Sequence, residues 1–435
     1  MSRSRLTRSS RPRLDTYLGN ELAGVVFEFA NRKLVFRYDL GWRERRGAYP
    51  LSLSMALETA EHGHQVTWAF LAGLLPENDS TLQALSRHLD ISPNNVTEML
   101  ANVGRDCAGA VRFVRSGEDP QFGTRDQQQH IRWLSREEVA AELKLAKRPT
   151  STMADPMRLG QFSLAGAQPK IALYRDHAGN YGVPLNGSTN TILKPPVLKW
   201  RDLVHNEHLC LQLARNLGIA AASSTIEMFD DEIAIVVDRY DRIEIDGAVR
   251  RIHQEDMCQS LAVLPTQKYE SDGGPGVSAM AGVLMRHSSR PEVDVKRFID
   301  AVAFNWLIHG VDAHAKNHSI LISAGPQVRF APLYDLVSAL VYPEITEQNP
   351  LLPVSIGGER HIDNIGLAQW KQLAADCALN EDMVITEVRR IVECFPDALH
   401  KLSTSARNDA STSDFPGEFA DAVERHVGKC RLRLV

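Results

Sequence analysis

The sequence AVAFNWLIHGVDAHAKNHSILI, residues 301 to 322, decides how this chain is interpreted. A long apolar run with helical character ends at Gly310, and the polar segment that follows contains Asp312 and Asn317. An apolar segment with strand character comes next, and Asp335 lies 18 positions after Asn317, within PLYDLVSA. Two carboxylates and an amide therefore flank a short predicted strand.

An Asp, an Asn five positions later and a second Asp beyond a strand form the layout of protein-kinase-like phosphoryl-transfer enzymes. In those enzymes the first Asp accepts the proton of the substrate hydroxyl, and the other two side chains hold magnesium against the nucleotide phosphates. Hard oxygen ligands suit magnesium, which keeps several waters and rarely needs a full protein cage. The spacing thus predicts a phosphoryl-transfer site.

Two alternatives remain open for this stretch. Asp312 and Asn317 could simply cap turns, as Asp and Asn often do in loops. The other alternative is zinc, because four possible ligands crowd the segment: His309, Asp312, His314 and His318. Zinc is disfavoured because Ala315 stands where a metalloprotease helix needs its glutamate.

The composition is that of a globular enzyme. The chain has 435 residues, of which 43% are apolar and 24% charged, and this length accommodates two or three domains with proper cores. A net charge of −5 gives no bulk attraction to nucleic acid or anionic membranes. The six cysteines lack a Cys-x-x-Cys spacing, and no apolar run is long enough to span a bilayer. We expect a cytoplasmic protein with reduced cysteines.

Composition and periodicity divide the chain into four segments. Residues 1–15 are predicted to be a basic disordered tail, since MSRSRLTRSSRPR holds five arginines and no acid. Residues 16–150 are predicted to be a β-rich subdomain, with two or three strands between Thr16 and Tyr38, then helices from residue 50 to 110. A nucleotide-binding lobe at 151–242 and a mainly helical catalytic lobe at 243–435 complete the prediction.

The lobe at 151–242 offers groups that can hold a nucleotide. A small-residue loop from Ser163 to Gln168 precedes an apolar strand at Ile171–Tyr174, although such a loop is also compatible with an ordinary hairpin. Lys194 ends a later strand, from which its ammonium can reach phosphates. A helix follows with Asn206 as its predicted cap, and Glu207 could either pair with Lys194 or compensate the helix dipole.

The segment EIAIVVDRYDR is predicted to be a buried strand that becomes a connector between lobes. Backbone groups at Asp238 and Tyr240 could hold an adenine edge there. Further on, Asp272 to Gly276 form a glycine-rich turn cluster, too far from the strand signals to suggest a phosphate loop.

Together these motifs resemble the HipA family of serine/threonine kinases, the toxins of bacterial toxin–antitoxin pairs. Seven segments occur in the family's order: SLAGAQPK (163–170), ILKPP (192–196), NEHLCLQLARNLGI (206–219), VDRYDR (237–242), QEDMCQ (254–259), DAHAKN (312–317) and LYDLVSA (333–339). PLSLSMAL and LLPE also resemble the family's N-terminal module. The resemblance implies an α+β, two-lobed protein-kinase-like fold with a β-rich N-terminal subdomain and a mainly helical C-terminal lobe.

The resemblance also implies roles for individual residues. Asp312 would be the catalytic base, with Asn317 and Asp335 as Mg2+ ligands. The predicted ATP contacts are Leu164, Ala165, Gly166, Ala167, Gln168, Lys170, Lys194, Asp238, Tyr240 and His314. Ser163 matches the family's autophosphorylated serine, whose modification ejects the phosphate loop and switches the kinase off. Pro169 departs from relatives that carry an acidic residue, and it removes one backbone N–H donor.

The family further implies a small helix-turn-helix antitoxin, HipB-like, which binds operator DNA, and a protein substrate such as an aminoacyl-tRNA synthetase. DNA contact is expected mainly through the antitoxin complex. The alternative of a different class is a catalytically idle kinase-like scaffold that serves as a corepressor for the antitoxin. A kinase for a small molecule or lipid is the remaining enzymatic alternative.

Overall fold

The structure is a computed structural model. It describes residues 11–77, 79–120, 130–147, 163, 165–166, 168–185, 187–197, 199–245, 248–325, 327–348, 350–408 and 414–435. Within these residues, no helix is both long and apolar enough to cross a membrane.

The strands are β1 Arg11–Leu18, β2 Glu21–Glu28, β3 Leu34–Tyr38, β4 Glu61–His62, β5 Val111–Arg115, β6 Ile131–Leu134, β7 Ile171–Arg175, β8 Tyr181–Pro184, β9 Thr191–Lys194, β10 Ser224–Phe229, β11 Glu232–Asp238, β12 Arg242–Ile245, β13 Ala248–Arg251, β14 His253–Asp256, β15 Ser319–Ser323, β16 Gln327–Phe330, β17 Leu351–Ile356 and β18 Glu359–His361.

The α-helices are α1 Leu40–Glu44, α2 His64–Gly73, α3 Asp79–Leu89, α4 Val96–Val103, α5 Arg136–Lys147, α6 Leu203–Asn216, α7 Met257–Ser260, α8 Val277–His287, α9 Pro291–Leu307, α10 Pro343–Thr346, α11 Leu367–Asp376, α12 Glu381–Asn408 and α13 Phe415–Leu432. Short 3-10 helices occur at Pro265–Gln267, Glu270–Asp272 and Ala315–Asn317.

The described residues form two compact units, each assembled from three stretches of chain. Unit 1 draws on Met1–Leu193, Asp241–Pro265 and Leu321–Gln327. Unit 2 draws on Lys194–Tyr240, Thr266–Ile320 and Val328–Val435.

Unit 1 is built around an antiparallel sheet of five strands in the order β4-β3-β2-β1-β5. Side chains that alternate along these strands point into a core with α2 and α4, and Leu14, Phe36 and Phe113 are fully buried there. Burial of each such side chain contributes roughly 1.5–3 kcal/mol relative to exposure. A second antiparallel group in this unit pairs β6 with β8, β8 with β7, and β7 with β9.

Two sequence motifs of unit 1 that lie far apart in the chain bind each other. The Leu53 amide donates to Glu255 Oε1 at 2.8 Å, and the Ser54 hydroxyl donates to the Gln259 carbonyl at 2.9 Å. The side chain of Gln259 in turn donates to the Phe70 carbonyl in α2 at 3.0 Å. PLSLSMAL and QEDMCQ, quoted above as separate motifs, therefore form one contact.

Unit 2 is mainly helical. Its long helices α9 and α12 pack together, with Phe304 and Phe395 stacked at 6.4 Å between ring centroids. Trp306 packs edge to face against Trp370 of α11 at 5.6 Å. The hairpin β10–β11 pairs Ser224 with Val237 at its open end. This architecture confirms the predicted α+β class and the predicted helical character of the C-terminal region.

Several local predictions can be compared with these elements. The two or three strands predicted between Thr16 and Tyr38 are confirmed as β1, β2 and β3, and the strand at β7 and the buried strand at β11 are confirmed as well. The disordered tail was predicted too long, because β1 begins at Arg11, where pairing with β2 and β5 orders the chain. Residues 1–10 and the predicted boundary near residue 150 lie outside the described residues. The other domain limits stay predictions.

The predicted helix cap at Asn206 is wrong. Helix α6 begins at Leu203, one turn earlier, with Asp202 in the cap position. Asn206 is fully buried inside the helix, where its side chain donates to the Ser338 carbonyl at 2.8 Å and accepts from the Ser338 amide at 2.9 Å. The side chain thus bridges two parts of unit 2 instead of capping a helix end.

Candidate active site

The segment with Asp312 starts where α9 ends. The helix stops at Leu307, and His309 adopts a left-handed conformation with φ 50°. Gly310 then turns back, its amide donating to the Asn305 carbonyl at 2.7 Å. A Cβ on Gly310 would collide with the Asn305 side-chain oxygen, so any larger residue here would require that side chain to move.

The polar loop after Gly310 is held together by its own hydrogen bonds. The Asp312 carbonyl accepts from Asn317 Nδ2 at 2.7 Å and from the His314 amide at 2.8 Å. The Asn317 amide donates to the His314 carbonyl at 2.9 Å. Asp312 and Asn317 are therefore adjacent in space, and the carboxylate and the amide belong to one rigid turn.

The segment that carries Asp335 is fixed to the same loop. Leu333 bonds in both directions with the backbone at residues 220–222, and the Tyr334 hydroxyl donates to the Lys316 carbonyl at 2.7 Å. Asp335 itself has φ 51°, a conformation that is unfavourable for residues other than glycine and is often retained at functional sites. The structure thus brings together Asp312, Asn317 and Asp335, which we call the acidic set.

Lys194, at the end of β9, is buried with 4% of its side chain exposed, and its Nζ lies 2.6 Å from Glu207 Oε1 and also contacts Asp335. Burial alone would lower the pKa of this ammonium, but the carboxylates of Asp335 and Glu207 outweigh that effect and raise it. Of the two roles considered for Glu207, pairing with Lys194 is the one that the structure has.

Asp312 differs from these groups because 52% of its side chain is exposed. Desolvation on its protein-facing side nevertheless raises the pKa of its carboxyl group, and the negative charge of Asp335 raises it further. A hydrogen bond from Tyr269 and the charge of Lys268 act in the opposite direction. Asp312 is thus accessible to a large substrate while still subject to the charges around it.

The residues present fit a magnesium ion. Asn317 uses its amide nitrogen to bind the Asp312 carbonyl, so its amide oxygen points to the other side of the side chain. Asp335 is 30% exposed, which leaves its carboxylate accessible. A carboxylate oxygen and an amide oxygen, with water for the remaining positions, form a donor set that magnesium accepts.

The zinc alternative lacks a ligand set. Within the part of the chain that the structure describes, no three His, Cys, Asp or Glu side chains form a group that could hold a metal ion. His309 and His318 are buried, and burial lowers the pKa of each to about 4. His314 is also buried and lies against Tyr269, with 4.9 Å between the ring centroids.

The two residues proposed for the adenine connector lie at the end of β11. The Asp238 amide donates to the Ser223 carbonyl at 2.9 Å, which continues the β10–β11 pairing. The centroid of the Tyr240 ring lies 5.9 Å from that of Tyr334, the residue that precedes Asp335 in the sequence. Both residues belong to unit 2, like the acidic set.

The predicted phosphate loop belongs to unit 1. Gly166 has φ +106°, which favours glycine, and a Cβ there would lie 2.5 Å from Lys170 Nζ. Lys170 folds back so that its Nζ donates to the Ala165 carbonyl at 2.6 Å. Gln168 is half-buried, while the predicted contacts Leu164 and Ala167 lie outside the described residues.

Ser163 is buried, with 2% exposure. Its hydroxyl donates to the Leu74 carbonyl at 2.7 Å, and its amide donates to the Asp106 carbonyl at 3.1 Å. A serine held in this way has no access to a phosphate donor in solution. Phosphorylation at this position requires the segment to leave its site.

A buried ionic cluster in unit 1, which we call the Asp106 junction, is not predicted from the sequence. The carboxylate of Asp106 contacts Arg242 Nη2 at 2.8 Å and Arg251 Nη1 at 2.7 Å, and it accepts two hydrogen bonds from Thr189. Arg242 also binds Asp241 at 2.8 Å. The only sequence signal was the acidic and basic character of VDRYDR.

Tyr269 was also missed. Its hydroxyl donates to Asp312 Oδ1 at 2.9 Å, a contact over 43 positions of sequence. The glycine-rich cluster from Asp272 to Gly276 follows shortly after this tyrosine in the chain, but the spacing of the cluster does not relate it to the acidic set.

Comparisons with known proteins identify a family for this chain. Residues 14–114 match the model of the HipA N-terminal domain, and residues 162–399 match that of the HipA-like C-terminal domain. A protein of Sinorhizobium fredii named "Putative kinase Y4mE" is 31% identical over 97% of this chain and 99% of its own length. The "Serine/threonine-protein kinase toxin HipA" of Shewanella oneidensis is 28% identical, covering 89% of this chain and 88% of its own.

A solved structure is similar over nearly the whole chain. It is the complex of the Shewanella oneidensis toxin–antitoxin proteins HipA and HipB with operator DNA, and it superposes with a TM-score of 0.80 at 25% identity. The match covers 96% of this chain and 97% of that one. Two domain models and full-length similarity lead to the same assignment, and this chain belongs to the HipA family.

Proposed function

We propose that this chain is an ATP- and magnesium-dependent serine/threonine protein kinase and the toxin of a toxin–antitoxin pair. The observation that carries the proposal is the buried ion pair between Lys194 and Glu207, which lies beside Asp335. Protein kinases use such a lysine–glutamate pair, together with a metal-binding aspartate, to position the nucleotide phosphates.

In the proposed reaction Asp312 acts as the base. It accepts the proton of a serine or threonine hydroxyl while that oxygen bonds to the γ-phosphorus of ATP. The bond between the γ-phosphorus and its bridging oxygen breaks, and ADP leaves. Half exposure of Asp312 gives a protein-borne hydroxyl room to approach.

The other residues hold the nucleotide. Lys194 exchanges its contact with Asp335 for the phosphates and keeps Glu207, while Asn317 and Asp335 would hold magnesium. Magnesium, when bound, supplies positive charge that offsets the charge developing on the phosphate oxygens. The remaining nucleotide contacts in this proposal come from residues 164–168, Lys170, Asp238, Tyr240 and His314.

Autophosphorylation of Ser163 would switch the kinase off. In the buried position its hydroxyl donates to the Leu74 carbonyl. A phosphoserine has lost that donor and carries a charge of about −1.5 to −2, which cannot return to a site that presents a carbonyl oxygen. The modified segment would therefore remain outside, and the loop that follows it would be unable to bind phosphates.

The partner in this proposal is a HipB-like helix-turn-helix antitoxin, through which the complex binds operator DNA in the cytoplasm. Its support is the solved relative, which is a complex of HipA with HipB and operator DNA. The substrate class that we propose is a protein of translation, such as an aminoacyl-tRNA synthetase. An idle corepressor scaffold remains the competing function, since it would need the same antitoxin.

The proposal is tested with purified protein that has first been treated with phosphatase. Wild type and Asp312→Asn are incubated with magnesium-ATP and analysed by intact-mass and peptide mass spectrometry. The matched control is Asp230→Asn, a surface turn residue whose left-handed backbone an asparagine tolerates. We expect phosphate on Ser163 in wild type and control and none in Asp312→Asn, and we expect a chelator to abolish the transfer.

The alternatives predict different results. If none of the three proteins gains phosphate or consumes ATP, the idle scaffold becomes the better explanation. If radioactive phosphate from ATP instead enters material that organic solvent extracts, a kinase for a small molecule or lipid is indicated.

A further inference from the structure

The glycine-rich cluster noted in the sequence belongs to a turn, residues 267–276, that we call the glycine turn. Gly273 has φ +82°, and the Gly274 amide donates to the Tyr269 carbonyl at 2.9 Å. A Cβ on Gly274 would collide with the Gln267 carbonyl, so only glycine lets the chain return this closely. The backbone of Tyr269 is fixed as a result.

The glycine turn is attached on two sides within unit 2. Glu270 accepts from the Ser355 hydroxyl at 2.8 Å and from the Ser355 amide in β17. On the other side the Lys268 carbonyl accepts from the Ala315 amide of the polar loop at 3.3 Å. Tyr269 lies between these two attachments, and the turn therefore sets its position relative to Asp312.

The side chain of Tyr269 is held as firmly as its backbone. Its ring meets the buried His314 edge to face, with 4.9 Å between centroids and 86° between planes. Its hydroxyl donates to Asp312 Oδ1 at 2.9 Å. The glycine turn and His314 thus hold the phenol of Tyr269 beside the partly exposed carboxylate of Asp312.

This contact reproduces what an acceptor must do. A serine or threonine hydroxyl reaches its catalytic base by donating a hydrogen bond at about 2.6–3.2 Å before its proton moves. The Tyr269 hydroxyl makes a bond of that kind to Asp312. Any hydroxyl that arrives at Oδ1 meets a site already filled by a hydroxyl of similar size.

We propose that the Tyr269 hydroxyl stands in for the acceptor hydroxyl at Asp312 Oδ1, that it competes with water for that oxygen, and that a protein substrate must displace it. The inference rests on the proposed function, since it takes Asp312 as the base. In this proposal the glycine turn lies where the substrate hydroxyl has to bind.

The chemical consequence concerns water. A water molecule bound at Asp312 could give its proton to the carboxylate as its oxygen bonds to the γ-phosphorus, which would release ADP and inorganic phosphate without an acceptor. The Tyr269 hydroxyl competes with water for Oδ1, and its ring lies edge-on to His314. Removal of the hydroxyl alone should open the site to water and to the acceptor alike.

The test compares wild type, Tyr269→Phe and the control Tyr17→Phe, a tyrosine of β1 in unit 1. Initial rates are measured with magnesium-ATP, with and without a synthetic peptide that has the sequence of residues 157–170 as acceptor. Water must displace the hydrogen bond from Tyr269 before it can bind the charged Asp312 at Oδ1. We therefore expect the rate of ATP hydrolysis without peptide to rise about five- to tenfold in Tyr269→Phe. We expect KM for the peptide to fall by a similar factor, and kcat to change less than about twofold.

The other outcomes would overturn the inference. A fall in kcat with KM and hydrolysis unchanged would mean that Tyr269 only aligns Asp312. Wild-type values for all three quantities in Tyr269→Phe would mean that the contact has no role, and phosphate found on Tyr269 would make it an acceptor and not a stand-in. Failure of the proposed function looks different, because wild type would then neither transfer phosphate nor differ from Asp312→Asn, and the inference would fall with it.

Discussion

The acidic set of unit 2 and the Asp106 junction of unit 1 both contain aspartates, yet these aspartates differ in exposure. Asp312 and Asp335 have 52% and 30% of their side chains exposed. In the junction Asp106 has 9% exposed and Arg242 1%. An exposed carboxylate can exchange its partners for a substrate or a metal, whereas a buried one whose partners all come from the protein can only hold the structure together.

Lys194 has features of both regions, because it is buried like the junction and contacts Asp335 of the acidic set. Replacement by methionine should reduce phosphate transfer by at least about a hundredfold through loss of phosphate binding. It should also lower the free energy of unfolding by about 3–5 kcal/mol, because Glu207 is left buried without its countercharge. Transfer assays and urea denaturation measure the two effects.

A double variant separates the two roles of Lys194. Glu207→Gln in the Lys194→Met background removes the uncompensated charge, and we expect most of the stability to return while transfer stays low. Recovery of transfer together with stability would show that Lys194 matters only as a structural ion-pair partner.

Asp106→Asn is the counterpart of Asp312→Asn. Each change replaces one carboxylate oxygen by an amide nitrogen, the first in the Asp106 junction and the second in the acidic set. We expect the free energy of unfolding to fall by about 3 kcal/mol, because Arg242 and Arg251 lose a buried countercharge. The rate of transfer to the peptide, per folded molecule, should stay within about twofold of wild type. Denaturation curves and active-site-normalised rates at low temperature test both expectations.

The control for that comparison is Asp90→Asn, an exposed residue of unit 1 with a left-handed backbone that asparagine tolerates. If Asp106→Asn proved as stable as this control, the junction would contribute nothing measurable. Loss of transfer without loss of stability would place Asp106 with the catalytic groups.

The same contrast explains what the sequence could predict. Asp312, Asn317 and Lys194 were found because each lies where an apolar segment ends, and such positions can be recognised from local spacing. The junction has no local signal, since Asp106 and Arg242 are 136 positions apart and their pairing exists only after folding. Lys194 and its possible partner Glu207 are therefore recognisable in one sequence, whereas the partners of Asp106 are not.

Helix limits failed for a related reason. Asn206 has the chemistry of a cap, but its side chain bonds to both backbone groups of Ser338, 132 positions away. Tertiary partners decided the role of this amide, and propensity alone could not reveal them. Tyr269 escaped notice in the same way, because only the folded glycine turn brings it to Asp312.

An effect confined to one range of pH concerns Glu255, a buried acid of unit 1 that binds the Leu53 amide and that, among the residues described by the structure, pairs with no arginine as Asp106 does. Burial raises its pKa from 4.5 to about 7. Between these two pH values the folded protein keeps the Glu255 proton, whereas the unfolded chain has lost it. The contribution of Glu255 to the free energy of unfolding is therefore most favourable below pH 4.5 and declines as the pH rises toward 7. Glu255→Gln stays neutral, and its amide oxygen can still accept from Leu53.

Unfolding free energies of wild type and Glu255→Gln, measured by urea denaturation from pH 5 to pH 8, give the contribution of this one group. The variant should gain on wild type as the pH rises, by up to the order of 3 kcal/mol at pH 8. His253, whose pKa burial lowers to about 4, is present in both proteins and cancels in the difference. Parallel curves would mean that Glu255 is stabilised as an ion, and the contrast between a lone buried acid and the arginine-paired Asp106 would then disappear.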